Sequence, residues 1–221
     1  MKRRIGCLHA HYSNIAYIEH AISSDDLEWI HFVDPGLMSR ITSDNNFDEA
    51  QAKNKVLEQI EWIAQANVEA ILITCTTYIA LLEENRLHTS IPILKMDEPF
   101  FNSVCRITAP QVLLFTNPAT VEGTMGRLKE YASTHGMPIR NIEARIIENT
   151  FELLMRGEKE RYVEELSTYI KKILVSEKDK KISVAQLSMV EAAYKVEREL
   201  AVKIGNPLDS LISHFGKLFL N

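Results

Sequence analysis

Val68-Glu69-Ala70-Ile71-Leu72-Ile73-Thr74-Cys75-Thr76-Thr77 is the stretch from which the architecture can be read. Residues 68–74 are β-branched and nearly all apolar, as expected of a strand covered on both faces of a parallel sheet. Cys75-Thr76-Thr77 then leads into a helical pattern ending near residue 85.

The pattern repeats on either side. Residues 4–8 form a short apolar run that ends in the polar loop His9-Ala10-His11-Tyr12-Ser13-Asn14, followed by a helix to about residue 22. Leu27–Val33 reads as a strand closed by the turn Asp34-Pro35-Gly36,. Residues 42–47 are polar and read as a loop. Residues 48–67 keep helical spacing, with Asp48 placed to cap the start,.

Residues 91–96 predict a strand, and Asp97-Glu98-Pro99 a helix start,. Further strands are expected at Gln111–Phe115, at Ile142–Ile146 and over 182–186. Helices are expected up to residue 136, over 158–176, over 189–203 and from Asn206-Pro207 to the end. Strands alternating with helices of ten or more residues make this an α/β chain with mostly parallel sheet.

Three landmarks occur twice in the same order. Arg4-Ile5-Gly6-Cys7-Leu8-His9-Ala10 parallels Gln111-Val112-Leu113-Leu114-Phe115-Thr116-Asn117. Ile71-Leu72-Ile73-Thr74-Cys75-Thr76-Thr77 parallels Ser183-Val184-Ala185-Gln186-Leu187-Ser188-Met189, and Lys95-Met96-Asp97-Glu98-Pro99 parallels Lys203-Ile204-Gly205-Asn206-Pro207. Two similar halves are therefore expected: a first lobe of residues 1–98, joined by the C-terminal helix 206–221, and a second of residues 99–205. Open α/β sheets bind ligands beyond the carboxyl ends of their strands. Two such edges facing each other would enclose a cleft.

Composition narrows the function. The 221 residues carry 25 Lys+Arg against 30 Asp+Glu, a net charge of -5, which argues against a nucleic-acid partner,. No run approaches the ~20 apolar residues of a membrane helix, and the basic start is too briefly apolar for a signal peptide. Three cysteines, Cys7, Cys75 and Cys105, match no zinc spacing and read as reduced thiols of a cytoplasmic protein,. No Walker loop, GxGxxG, HExxH or GxSxG occurs.

Cys75 is the sharpest candidate for chemistry. At a strand-to-helix junction, unpaired N–H groups and the helix dipole favour thiolate over thiol. The amides and hydroxyls of Thr76 and Thr77 could hold a carboxylate beside the sulfur. The alternative is a core cysteine at a strand end, since cysteine is among the residues most often buried.

Thr116-Asn117-Pro118-Ala119-Thr120 is a second anion-ready turn, or simply a good helix cap,. Ser188 invites the same two readings. Ser13 and Asn14 could cap the first helix or meet polar substrate groups. His9 and His11 form a His-x-His pair with no third ligand in view, so no metal is expected. Cys7 and Cys105 read as inert core thiols.

Taken together these residues resemble the aspartate/glutamate/hydantoin racemase superfamily over nearly the whole chain. Ile73-Thr74-Cys75-Thr76-Thr77 matches its first cysteine motif, and Leu114-Phe115-Thr116-Asn117-Pro118-Ala119-Thr120 the loop opening its second half. Ala185-Gln186-Leu187-Ser188-Met189 falls where the second cysteine motif belongs.

The resemblance implies two pseudo-symmetric Rossmann-like lobes around a cleft, no cofactor, a small carboxylate-bearing substrate and, commonly, a homodimer. It also implies an isomerase that moves a proton at the carbon beside the carboxylate between two facing cysteines. Cys75 would be one of them. Thr76, Thr77, Thr116, Asn117, Thr120, Ser188 and Met189 would bind the carboxylate, partly through backbone N–H, with Ser13 and Asn14 completing the pocket.

Position 187, where the partner cysteine belongs, is leucine, which neither donates nor accepts a proton. One cysteine still permits one-base chemistry. Single-cysteine relatives decarboxylate activated malonates, with the lone thiol protonating the resulting enolate. The maleate-isomerase branch uses cysteine attack on an activated double bond. Loss of chemistry with retention of small-acid binding is the remaining alternative.

Overall fold

A computed structural model describes residues 2–219. Met1, assigned above to the first lobe, and Leu220 and Asn221, assigned to the last helix, lie outside the described residues. The chain divides into two compact units, Met1–Asp97 and Glu98–Asn221.

The first unit runs β1 (Arg3–His9), α1 (Ser13–Ala21), β2 (Leu27–Val33), α2 (Pro35–Ser43), α3 (Glu49–Ala64), β3 (Ala70–Ile73), α4 (Thr76–Leu81) and β4 (Ile93–Lys95). Its four strands pair in parallel in the order β2-β1-β3-β4. All four residues of β3 are buried, as its unbroken apolar run predicts,. Leu8, Ile71 and Ile73 pack with Val56, Ile60 and Ile63 of α3. Each such side chain contributes about 1.5–3 kcal/mol relative to an exposed one.

Gly6 lets β1 and α3 approach this closely: a Cβ there would stand 2.5 Å from Ile63 Cγ2. Helix α3 opens with a capping box. Asp48 Oδ1 accepts from Gln51 N (2.8 Å), while Asp48 N donates to Gln51 Oε1 (3.0 Å),.

Two local expectations are corrected here. Asp34-Pro35-Gly36 follows the end of β2 as expected, but it is the start of α2 and not a separate turn. Asp34 Oδ1 accepts from Gly36 N (2.8 Å) and Leu37 N (3.2 Å), and Pro35 occupies the first helical position. An Asp-Pro-Gly sequence satisfies a helix start as well as a turn. Residues 42–43, expected in a loop, end that helix.

The second unit runs α5 (Asp97–Arg106, starting at the boundary), β5 (Gln111–Phe115), α6 (Val121–Thr134), β6 (Ile142–Ile146), α7 (Thr150–Met155), α8 (Lys159–Ser176), β7 (Lys181–Val184), α9 (Val190–Leu200) and α10 (Pro207–Phe219). Helix α7 has no counterpart among the predicted elements. The sheet is again parallel, in the order β6-β5-β7. An isolated parallel bridge, Ser183 to Gly205, adds the rudiment of a fourth strand.

Each unit therefore places its first strand centrally, its second on one side and its third on the other. The duplicated landmarks predict this correspondence, and Gly205 takes the place that β4 holds in the first unit. Helix α10 falls in the second unit, where Leu208, Leu211 and Phe215 are buried. Among the described residues, no helix is long and apolar enough to cross a membrane.

Candidate active site

In the first unit the site forms where β1 and β3 end. Thr74 N donates to Leu8 O (3.1 Å), which holds the exit of β3 against β1. The chain then turns at Cys75, the N-cap of α4, with extended backbone (φ -99°, ψ 120°). Thr76 and Thr77 are the first helical residues, so their N–H groups belong to the unsatisfied first turn,. Cys75, Thr76 and Thr77 are all half-buried. The sulfur does not cap the helix itself.

Beneath Cys75, Tyr78 is fully buried and its hydroxyl donates to the carbonyl of Asp34. Burial raises the Tyr78 hydroxyl pKa, with the charges of Cys75 and Asp34 acting in the same direction, so the phenol stays protonated,.

Of the β1 loop residues, Asn14 reaches the site: its Nδ2 donates to Thr74 Oγ1 (3.3 Å). Exposed Ser13 has its hydroxyl 2.8 Å from Nδ1 of exposed His11. His9 is fully buried, with Nδ1 2.8 Å from Thr74 Oγ1 and Nε2 2.9 Å from His31 Nδ1. Burial, and secondarily the charge of His31, lower the His9 pKa to about 4, so the ring is neutral near pH 7,.

The second unit builds an equivalent corner from different chemistry. Gln186 occupies the position that corresponds to Thr74. Its Oε1 accepts from Thr116 N (2.7 Å), Thr116 Oγ1 (2.8 Å) and Asn117 N (3.2 Å), and its Nε2 donates to Thr120 Oγ1 (3.3 Å). The amide oxygen thus sits where an anion would be held by the turn. Asn117 Oδ1 caps the following turn by accepting from Ala119 N (3.0 Å).

Leu187, at the position equivalent to Cys75, is 7% exposed. Ser188 Oγ lies 3.0 Å from Tyr162 Oη, which is 3.2 Å from Thr116 Oγ1. Met189 is packed in the core, so only its main chain is available to a ligand.

The expected residues thus gather within each unit: Asn14, Cys75, Thr76 and Thr77 at one corner, Thr116, Asn117, Thr120 and Ser188 at the other. The Ser13 hydroxyl is paired with His11. Thr74, Gln186, Tyr162 and His31 join these residues, though none carries a local signal in the sequence. The repeat holds the signal for two of them, because Thr74 and Gln186 occupy matching positions.

The model of the Asp/Glu/hydantoin racemase family matches residues 11–214. No curated protein matches the sequence. Among solved structures, the chain is similar to Picrophilus torridus aspartate racemase (15% identity, TM-score 0.67, covering 98% of this chain and 94% of that one). It is also similar to Francisella tularensis glutamate racemase in complex with D-glutamate (14%, 0.68, 99% and 81%) and to Klebsiella pneumoniae allantoin racemase (17%, 0.65, 99% and 88%). At these identities the structural likeness establishes a common fold.

Proposed function

The chain belongs to the Asp/Glu/hydantoin racemase family, and we propose that it is an isomerase-class enzyme acting without a cofactor at the carbon beside the carboxylate of a small amino or dicarboxylic acid. The observation that carries this reading is Cys75: a half-buried thiol at the end of β3, beside the first-turn amides of α4. Helix-terminal N–H groups favour the thiolate over the thiol and can hold a substrate carboxylate next to it.

In this reading Cys75 exchanges the proton on the acidic carbon. Thr76 and Thr77 bind the carboxylate, with Asn14 and Ser13 supplying further polar contacts. Thr116, Asn117, Thr120, Ser188 and the main chain of Met189 carry the binding roles in the second unit. Amides aimed at the enolate oxygen stabilise the charge that develops as the proton leaves, a contribution of several kcal/mol in acyl and enol chemistry.

Leu187 favours a second reading within the same fold. With no thiol at the equivalent position, a one-base reaction fits better than a two-thiol racemisation. Loss of CO2 from an activated malonate leaves an enolate that one thiol can protonate, after which the thiolate is reprotonated from solvent.

The two readings separate in deuterated water. Proton NMR of a panel of amino and dicarboxylic acids is expected to show exchange of the hydrogen beside the carboxylate. With disubstituted malonates, CO2 release and deuterium incorporation mark the one-base alternative. Cys75→Ala is expected to lower either rate by about 10²–10⁴-fold, the usual contribution of general acid–base catalysis. Exchange that survives Cys75→Ala would remove Cys75 from the chemistry. Saturable binding without turnover of any panel member would instead leave a small-acid binding protein.

A further inference from the structure

On the sheet face opposite the α3 core, Cys7, His9 and His31 bring three potential metal-donor atoms within 4.8 Å of one another. The strand geometry explains why. Cys7 and His9 alternate along β1 and so share a face, and His31 of β2 pairs directly with Cys7 in the parallel ladder,. Cys7 and His9 are fully buried, whereas the His31 side chain is 12% exposed and marks the side nearest solvent. The His-x-His pair suggested by the sequence is thus replaced by His9, Cys7 and a histidine from the neighbouring strand.

We propose that Cys7, His9 and His31 form a binding site for a thiolate- and imidazole-preferring divalent cation of the zinc class. His9 Nε2 and His31 Nδ1 face each other at 2.9 Å. Their outward nitrogens each meet an oxygen: His9 Nδ1 is 2.8 Å from Thr74 Oγ1, and His31 Nε2 is 3.5 Å from Glu19 Oε1. Histidines that ligate metals are oriented in this way, the second nitrogen donating to a carboxylate or another oxygen.

An ion about 2.0–2.1 Å from both nitrogens at a tetrahedral angle needs them about 3.3 Å apart, so the rings must part by about 0.4 Å and tilt toward the ion, which sits to the side of the line between the nitrogens,. Three protein ligands then leave one position for water, as in zinc sites that are not purely structural.

The protons balance. With the Glu19 carboxylate the nearest acid to His31 Nε2, we assign the Nε2–H tautomer to His31, in which Nδ1 is the acceptor and the shared proton belongs to His9 Nε2,. When the ion takes that place, the proton moves to His9 Nδ1 and is donated to Thr74 Oγ1. The Thr74 hydroxyl then turns to Leu8 O, 3.3 Å away. The Cys7 thiol releases one proton to solvent. The dication and one thiolate leave a single positive charge facing Glu19.

Cobalt(II) titration of the full chain tests this, because thiolate–cobalt charge transfer in the near ultraviolet and d–d bands in the visible report ligand type and geometry. Both are expected, with zinc(II) displacing them at stoichiometric amounts. Cys7→Ala should abolish the charge-transfer band and His31→Ala should weaken binding at least about tenfold, while Cys75→Ala should leave the spectrum unchanged. If Cys7→Ala fails to fold, as circular dichroism would show, His31→Ala at the less buried position decides alone.

Absence of a charge-transfer band at stoichiometric cobalt would overturn the site. So would a band that persists in His31→Ala or disappears in Cys75→Ala. None of these readouts depends on turnover, so failure here is distinct from failure of the proposed reaction.

Discussion

The side-chain oxygen of Gln186 stands 2.7 Å from the main-chain nitrogen of Thr116 and occupies the turn that closes β5. The same oxygen accepts from the Asn117 amide and the Thr116 hydroxyl. His9 and Thr74 form the corresponding pair in the first unit, 2.8 Å apart, at the positions that match Thr116 and Gln186 in the internal repeat. The duplication therefore preserves a tie between the ends of the first and third strands while exchanging the chemistry that makes it.

Gln186→Ala strands two main-chain donors and a hydroxyl on or beside a buried threonine. Unsatisfied buried polar groups cost about 1–3 kcal/mol, so urea unfolding should show a loss of that size. Glu in place of Gln would keep the acceptor, so Gln186→Glu should be closer to the parent than Gln186→Ala. Equal losses for both would mean that the hydrogen bonds add nothing.

Tyr162 extends the same network from Thr116 to Ser188, and its side chain is 1% exposed. Tyr162→Phe alone should cost about 0.5–1.5 kcal/mol. Because both residues act through Thr116, its combination with Gln186→Ala should depart from additivity by about 0.5 kcal/mol or more in a double-mutant cycle. Strict additivity would show that Thr116 does not couple them.

Much of this architecture is visible in the chain itself, and the failures share a cause. Buried strands such as β3 and β5 announce themselves because both faces are covered and, Gln111 apart, every residue is apolar,. Cys75 stands out because a strand-to-helix junction is a local pattern. Asp34-Pro35-Gly36 misleads because turns and helix starts recruit the same residues,. Gln186 and His31 are invisible to local reading, since their partners are 70 and 22 residues away and only strand register brings them together. Cys7 looks inert for the same reason: its neighbour across the ladder is what gives it a chemical context.

Gly6 tests the packing of β1 on α3. A methyl group there would meet Ile63 Cγ2 at 2.5 Å, well inside van der Waals contact. Gly6→Ala should therefore destabilise by about 1–3 kcal/mol, the range for overpacking a filled core, read as a lower urea midpoint with unchanged m-value. Adding Ile63→Val trims the opposing side chain, and the double variant should recover part of the loss. An unchanged midpoint for Gly6→Ala would mean that α3 can move outward freely.

Acid should act on the half-buried surface ion cluster that ties β6 to the end of α8. Arg145 Nη1 lies 2.6 Å from Glu177 Oε1, and Lys180 Nζ bridges Glu177 (2.6 Å) and Glu143 (2.9 Å). The hydrogen bond from Arg145 is the first cause holding the Glu177 pKa down at about 2, with Lys180 next. A carboxyl depressed in the folded state stabilises it above the unfolded pKa of about 4.3 and loses that contribution as pH falls toward the folded value. Carboxyl-carbon NMR should find Glu177 titrating near the bottom of the acid range in the parent and markedly higher in Arg145→Ala. The parent's stability should fall more steeply between about pH 4 and 2 than that of Glu177→Gln, which binds no proton there. Matching acid slopes for the two proteins would show that the cluster is too well solvated to matter.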